Sequence, residues 1–145
     1  MKGVIMYVLR MPLPSMLLTA IARGSWRTPG DLGLLERVFR CEAVDPRFYS
    51  KQEILSETER WHAENDPEIL AQYEGRINTE DPPGDIVRHR SIIIGDLGPD
   101  LPFALDYRRV DEEPSVIFLT VEGNWREVAP SIAAFMRALK IDYVP

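Results

Sequence analysis

The sequence predicts an α+β domain: a helical first half, then an antiparallel or mixed sheet of four to six strands, then a closing helix. Three observations carry this. Up to about residue 73, apolar side chains recur at spacings of three and four, the period of a half-buried helix. Beyond residue 90 they come in short β-branched or alternating runs separated by Gly, Pro and Asp, the mark of strands and turns. From Pro130 the helical spacing returns. Helices grouped before strands indicate α+β rather than an alternating α/β chain.

At 145 residues the chain is sized for a single domain over 1–145, and its 45% apolar and 28% charged residues are ordinary for a globular protein. Residues 1–10 are expected to form a leading strand or an extension. Their apolar run Gly3 to Leu9, broken by Arg10, is at the lower limit of a signal-peptide core, lacks a small-x-small cleavage site and is far too short to span a bilayer. Cys41 is the single cysteine, so no internal disulfide forms, which fits a reducing, cytoplasmic setting. With Arg40 and Glu42 beside it and no histidine near, it reads as a small half-buried side chain.

The elements follow in order. Pro14 suits a first turn, with Leu13, Met16, Leu17, Ala20 and Ile21 forming a stripe that Gly24 ends. Thr28-Pro29-Gly30-Asp31 is read as a cap with proline at the first helical position, before Leu34, Leu35, Val38 and Phe39. Ser50-Lys51-Gln52-Glu53 is a capping box, and Ile54, Leu55, Thr58 and Trp61 make the inner face of its helix. Asp66-Pro67 starts a short helix through Ile69, Leu70 and Tyr73 that Gly75 stops. Asn78 to Asp85 is a loop in which Pro82 and Pro83 exclude helix. Ser91 to Ile94 suits a strand covered on both faces. Phe103, Leu105 and Tyr107 alternate with Ala104, Asp106 and Arg108 as a half-buried strand, and Asp111 to Pro114 is a turn. Val116 to Val121 is apolar on both faces, and Gly123-Asn124 is a two-residue hairpin turn into Trp125 to Val128. Pro130 opens the last helix, with Ile132, Phe135, Met136 and Leu139 buried.

The net charge of −6 is unevenly spread. Between Glu53 and Asp85 lie ten acids and two arginines, a net −8, which leaves +2 for the rest. No basic cluster interleaved with aromatics exists, so direct nucleic-acid binding is not expected. A charge run of this kind is ordinarily a solvated helix face, and it also steers basic partners. Glu57, Glu64, Glu68, Glu80 and Asp81 are its candidate contacts. Trp61 and Trp125 fall at in-pattern core positions, whereas Trp26, in the polar stretch Gly24 to Arg27, is expected to be exposed and to anchor a partner.

Chemistry has few candidates. His62 and His89 lie far apart, Cys41 has no zinc-spaced partner, and Pro67 breaks the common face of His62, Glu64 and Asp66, so no metal is expected. Ser91, His89 and Asp85 form the single local nucleophile cluster, without a G-x-S-x-G elbow. Asp96, Asp100 and Asp106 flank a loop and could serve as paired carboxylates or bind a cation, but aspartate in such a loop ordinarily bonds its own backbone, and Asp106 is expected to pair with Arg108 on its strand face. The glycines of this loop precede no lysine and no helix, so it is not a phosphate loop. No cofactor is implied.

From Ile92 to Leu139 the chain resembles the SUKH superfamily. The pieces are Ile94-Gly95-Asp96 with Gly98 and Asp100, then Phe103-Ala104-Leu105-Asp106-Tyr107-Arg108. After them come Pro114 to Leu119, Trp125, and Val128-Ala129-Pro130-Ser131 followed by Phe135 and Leu139. Their order and close spacing carry the likeness. The first half lacks the proline-containing helix and Asn-Gly turn that commonly open the family. The resemblance implies an α+β domain without catalytic residues that works by binding another protein, and with the charge and hydropathy above neither a membrane nor nucleic acid is expected as partner. Bacterial members look like immunity proteins that neutralise toxins, often nucleases; the alternative, from eukaryotic relatives, is a regulatory or scaffolding subunit.

Overall fold

In a computed structural model describing residues 6–109 and 113–141, a six-stranded antiparallel sheet is the frame. The elements in chain order are β1 (Tyr7–Val8), β2 (Met11–Pro12), α1 (Ser15–Arg23), α2 (Leu32–Phe39), β3 (Arg47–Phe48), α3 (Lys51–Ala63), α4 (Pro67–Tyr73), β4 (Pro83–Gly84), β5 (Ser91–Asp96), β6 (Pro102–Asp106), β7 (Ser115–Leu119), β8 (Trp125–Ala129) and α5 (Ile132–Ala138). The α+β arrangement is as the sequence predicts. The sheet order is β3-β5-β6-β7-β8-β4, with β1 and β2 forming a separate ribbon. Both edges are two-residue strands, and β4 begins with a proline that has no N–H to offer a further strand.

The leading segment is a strand as far as it is described: Tyr7 pairs with Pro12 and Val8 with Met11 around Leu9 and Arg10, both at positive φ. Val8 and Met11 are buried, and the Tyr107 hydroxyl donates to the Pro12 carbonyl at 2.6 Å, tying the ribbon to the end of β6. Residues 1–5, and 110–112, which include the first half of the expected Asp111 to Pro114 turn, lie outside the described residues.

Alternation along the strands sorts side chains between two faces. Phe103 opposes Phe118 across β6 and β7, so both point one way; Leu119 and its partner Trp125 point the other. On the first face all five phenylalanines and Trp26 form one layer, with ring centroids 4.8 Å apart for Trp26–Phe48, 5.0 Å for Phe39–Phe103 and 5.7 Å for Phe39–Phe135. Gly95 belongs to this layer by what it lacks. A Cβ there would stand 2.3 Å from the Phe103 ring, so the β5 glycine makes room for its neighbour's aromatic side chain.

Several local expectations are corrected. Trp26 is buried, 7% exposed, with its indole N–H donating to the Tyr49 carbonyl at 3.0 Å; the polar residues around it sit in the turn after α1, while the ring reaches across to Phe48 and Phe135. The cap of α2 is Asp31, accepting from Leu34 N at 3.0 Å, and not Thr28. Thr28 instead accepts from Phe48 N and so supports β3, a strand the sequence did not announce. Pro83-Gly84 of the proline loop forms the β4 edge. The β6 strand is buried on both faces, Ala104 and Asp106 included. The β7–β8 turn is a three-residue loop closed by Thr120 N to Asn124 O, with Gly123 at φ 88°, a left-handed position that glycine fills without strain.

Candidate protein-binding cleft

The second face of the sheet carries α3 and α4. The predicted capping box of α3 is present: Ser50 Oγ accepts from Glu53 N, and the Glu53 carboxylate accepts from Ser50 N. Ile54 and Thr58 of α3 are fully buried. Thr58 is a polar residue in a packed interface because Ile93 N, beyond the short reach of β3, donates to its hydroxyl at 3.0 Å. One turn on, the Trp61 indole donates to Ser91 Oγ at 3.1 Å, and Ser91 Oγ donates to the Arg88 carbonyl at 2.8 Å. Asp66 caps α4 with Pro67 in its first turn, and the Trp125 indole donates to the Tyr73 carbonyl at 2.7 Å, fixing the end of α4 to β8.

Between these helices, β5, β8 and the loop after β5 lies an open cleft of about 740 Å³. Trp61 and Tyr73 are half-buried on its walls and Trp125, 1% exposed, forms part of its floor. Five carboxylates (Asp45, Glu57, Glu64, Asp96, Asp100) line it against two guanidiniums, those of Arg47 and Arg60. Both arginines are engaged, Arg47 with Asp96 at 2.8 Å and Arg60 with Glu57. The Asp96 carboxylate is structural: it also accepts from the Tyr49 hydroxyl at 2.6 Å and from Gly98 N at 3.1 Å, joining β3, β5 and the following loop. Burial, with that hydrogen bond second, pushes the Tyr49 phenol up. Tyr73 donates to Asp100, and burial together with this bond pushes its phenol up to about 12.

Of the acidic candidates, Glu57 and Glu64 reach this cleft. Glu68 is exposed in the first turn of α4, and Glu80 lines a second, polar groove of about 570 Å³ beside the β7–β8 turn. Asp81 lies in the intervening loop, its N–H bonded to Asn78. Trp26 is buried on the opposite face and so is not the exposed partner anchor that was expected. The Asp106–Arg108 pair is present at 2.7 Å. Asp45 and Arg47 went unnoticed because they reach the cleft only through the pairing of β3.

The Ser91, His89 and Asp85 cluster is not assembled by the described hydrogen bonds: Ser91 is buried and bonded as above, and Asp85 pairs with Arg108 at 2.9 Å. His62 faces the Ser91 carbonyl, Nε2 to O 2.8 Å, with the His89 ring edge-on at 5.7 Å. Glu64 accepts from Asp66 N, so the His62, Glu64 and Asp66 side chains have three different directions of engagement. Burial, then nearby His89 and Arg88, lowers the His62 pKa against the pull of the Ser91 carbonyl. An unfolded His62 therefore binds its proton more readily than a folded one, and stability is lost as pH falls below about 6.5. His62→Gln is expected to flatten the decline in denaturant midpoint between pH 7.5 and 5; equal declines in both proteins would refute this account of the ring.

A profile of the SMI1 / KNR4 family (SUKH-1) matches residues 30–138. The chain belongs to this family. No curated protein and no solved structure matches it significantly. The SUKH-1 match takes in every helix from α2 to α5 and all six strands of the main sheet, so the first half, which lacks the expected opening pattern, is part of the family domain from the turn before α2 onward. The β1–β2 ribbon and α1 precede it. Among the described residues no helix of this SUKH-1 domain is long and apolar enough to cross a membrane.

Proposed function

We propose that this SUKH-1 domain acts by binding another protein, with no reaction of its own, and that its partner presents a basic surface. The specific form we favour is an immunity protein that covers a basic toxin domain. The observation that carries this reading is the delivery of carboxylates from the −8 segment to the mouth of a concave site: α3 brings Glu57 and the α3–α4 turn brings Glu64. Membership in the SUKH-1 family supports a binding role. Of the side chains that a nucleophile would need, Ser91 is meanwhile bonded to Trp61 and the Arg88 carbonyl, and Asp85 to Arg108. A negative rim raises the encounter rate with a positive partner and disfavours acidic ones.

The test is co-expression with the product of the neighbouring reading frame. Protection of growth and a complex that co-purifies are expected if that product ends in a basic toxic domain; toxicity undiminished by this chain would overturn the immunity reading. In that complex, reversing Glu57, Glu64, Glu68, Glu80 and Asp81 to lysine together is expected to slow association about tenfold or more at low salt and to flatten its dependence on ionic strength. An association rate indifferent to these reversals would remove the acidic surface from recognition.

A further inference from the structure

We infer that the cleft between α3, α4 and the sheet seats an arginine side chain carried on a short segment of the partner. This rests on the protein-binding reading and narrows it to one recognition element. The argument is an inventory of donors and acceptors. The indole N–H groups of Trp61 and Trp125 are spent on Ser91 Oγ and the Tyr73 carbonyl, and the Tyr73 hydroxyl proton on Asp100. Arg47 and Arg60 each give one nitrogen to a carboxylate, Asp96 and Glu57, which leaves Asp45, Glu64 and Asp100 of the lining without a cationic partner among the described ion pairs. The surplus of charge in the cleft is therefore negative. Glu57 Oε1, Glu64 Oε1 and Asp100 Oδ2 accept none of the described hydrogen bonds, and aromatic side chains form the adjoining surface.

The chemical complement of carboxylates beside aromatic rings is a flat, donor-rich cation. A guanidinium has five N–H donors, pairs with carboxylates through two at once and stacks on indole or phenol faces; an ammonium does neither as well. The molecule already contains one such stack, with the Arg88 guanidinium 5.8 Å from the Trp61 ring centroid. Arg88 is not part of the cleft lining, so this stack leaves the cleft free to take another. The volume, about 740 Å³, exceeds one side chain and suits a segment of a few residues, within the roughly 300–1,000 Å³ typical of ligand clefts.

The test uses the full chain, labelled with nitrogen-15, and the capped peptide acetyl-Ala-Arg-Ala-amide at constant ionic strength. The Trp61 and Trp125 indole resonances are expected to shift saturably with half-saturation on the order of millimolar, while the Trp26 indole, on the other face, stays fixed. The citrulline peptide, equal in shape but uncharged, should leave all three unmoved, and the lysine peptide should bind more weakly than arginine. Glu57→Gln with Glu64→Gln is expected to weaken the arginine peptide roughly tenfold. In the unaltered chain, raising salt should weaken it as well, a readout independent of any variant. No saturable shift, equal response to citrulline, or a Trp26 shift of the same size would overturn the inference. A neighbouring-frame complex that forms and responds to charge reversal while the peptide does not bind would sink only the arginine site; peptide binding without any complex would sink only the immunity reading.

Discussion

Phe135→Ala is expected to lower the unfolding free energy by about 3–5 kcal/mol, the largest effect of any single substitution considered for this chain. Phe135 is fully buried on α5, and its ring lies within 6.2 Å, centroid to centroid, of Trp26, Phe39, Phe48 and Phe103. Those four rings come from the turn after α1, from α2, from β3 and from β6, so one side chain joins four segments of the first face to α5. Its removal leaves a void bounded by rigid rings that cannot collapse into it, the circumstance in which truncation is most damaging. With a total stability of about 5–15 kcal/mol for a domain of this kind, the loss is a large share of the whole. The measurement is a denaturant titration in which the midpoint falls and the slope is kept. A loss under about 1 kcal/mol would mean that the aromatic layer does not hold α5 to the sheet. Phe135→Leu, which retains most of the volume, should lose less than half as much.

Arg108→Ala is expected to cost about 2–3 kcal/mol at pH 7, somewhat below the range for fully buried pairs because Arg108 and Asp85 keep roughly a quarter of their side chains in water. Arg108 bonds the Asp106 carboxylate through Nε at 2.7 Å and through its backbone N–H at 3.1 Å. It reaches Asp85 with its remaining nitrogens, at Oδ1 (2.9 Å) and at the carbonyl (2.8 Å). Asp106 sits at the end of β6 with its side chain 5% exposed; burial raises its pKa, and Arg108 opposes that rise. Without the guanidinium the burial effect is opposed by little more than the backbone N–H of residue 108. A carboxyl whose folded pKa lies above its unfolded value near 3.9 adds stability at acid pH that is lost as pH rises through the folded value. The defect in Arg108→Ala should therefore be smaller at pH 4 than at pH 7, and Asp106→Asn in the same chain should restore part of it. A defect of one size at both pH values, unrelieved by Asp106→Asn, would show that the loss is of packing along the arginine stem and not of charge compensation.

What was legible in the sequence and what was not divide by distance along the chain. The α3 capping box, the glycine stops of α1 and α4, the α5 stripe and the Asp106–Arg108 pair depend on residues within a turn or a strand of one another, where spacing alone carries the physics. Trp26 failed as an exposed contact because its surroundings in sequence are polar while its burial comes from Phe48 and Phe135, 22 and 109 residues away. Thr28 failed as a cap for the same reason: its hydroxyl is claimed by a strand twenty residues on. Half of the cleft was visible, since Glu57 and Glu64 stood out by charge. The other half, Asp45 and Arg47 above all, is brought to the site by β3, whose two residues are too few to leave any period. Asp96 and Asp100 were read as turn formers in preference to paired carboxylates or a cation site. Asp96 does bond the backbone of its own turn, yet it also joins three segments at the end of the cleft.

The division of the sheet into an aromatic face and a clefted face has a consequence for how such a chain diversifies. Substitutions among the rim carboxylates leave the phenylalanine layer untouched, since the sheet separates the two. A lineage can therefore change a few exposed acids, and with them the charge of the cleft, without renegotiating the packing that lets the protein fold.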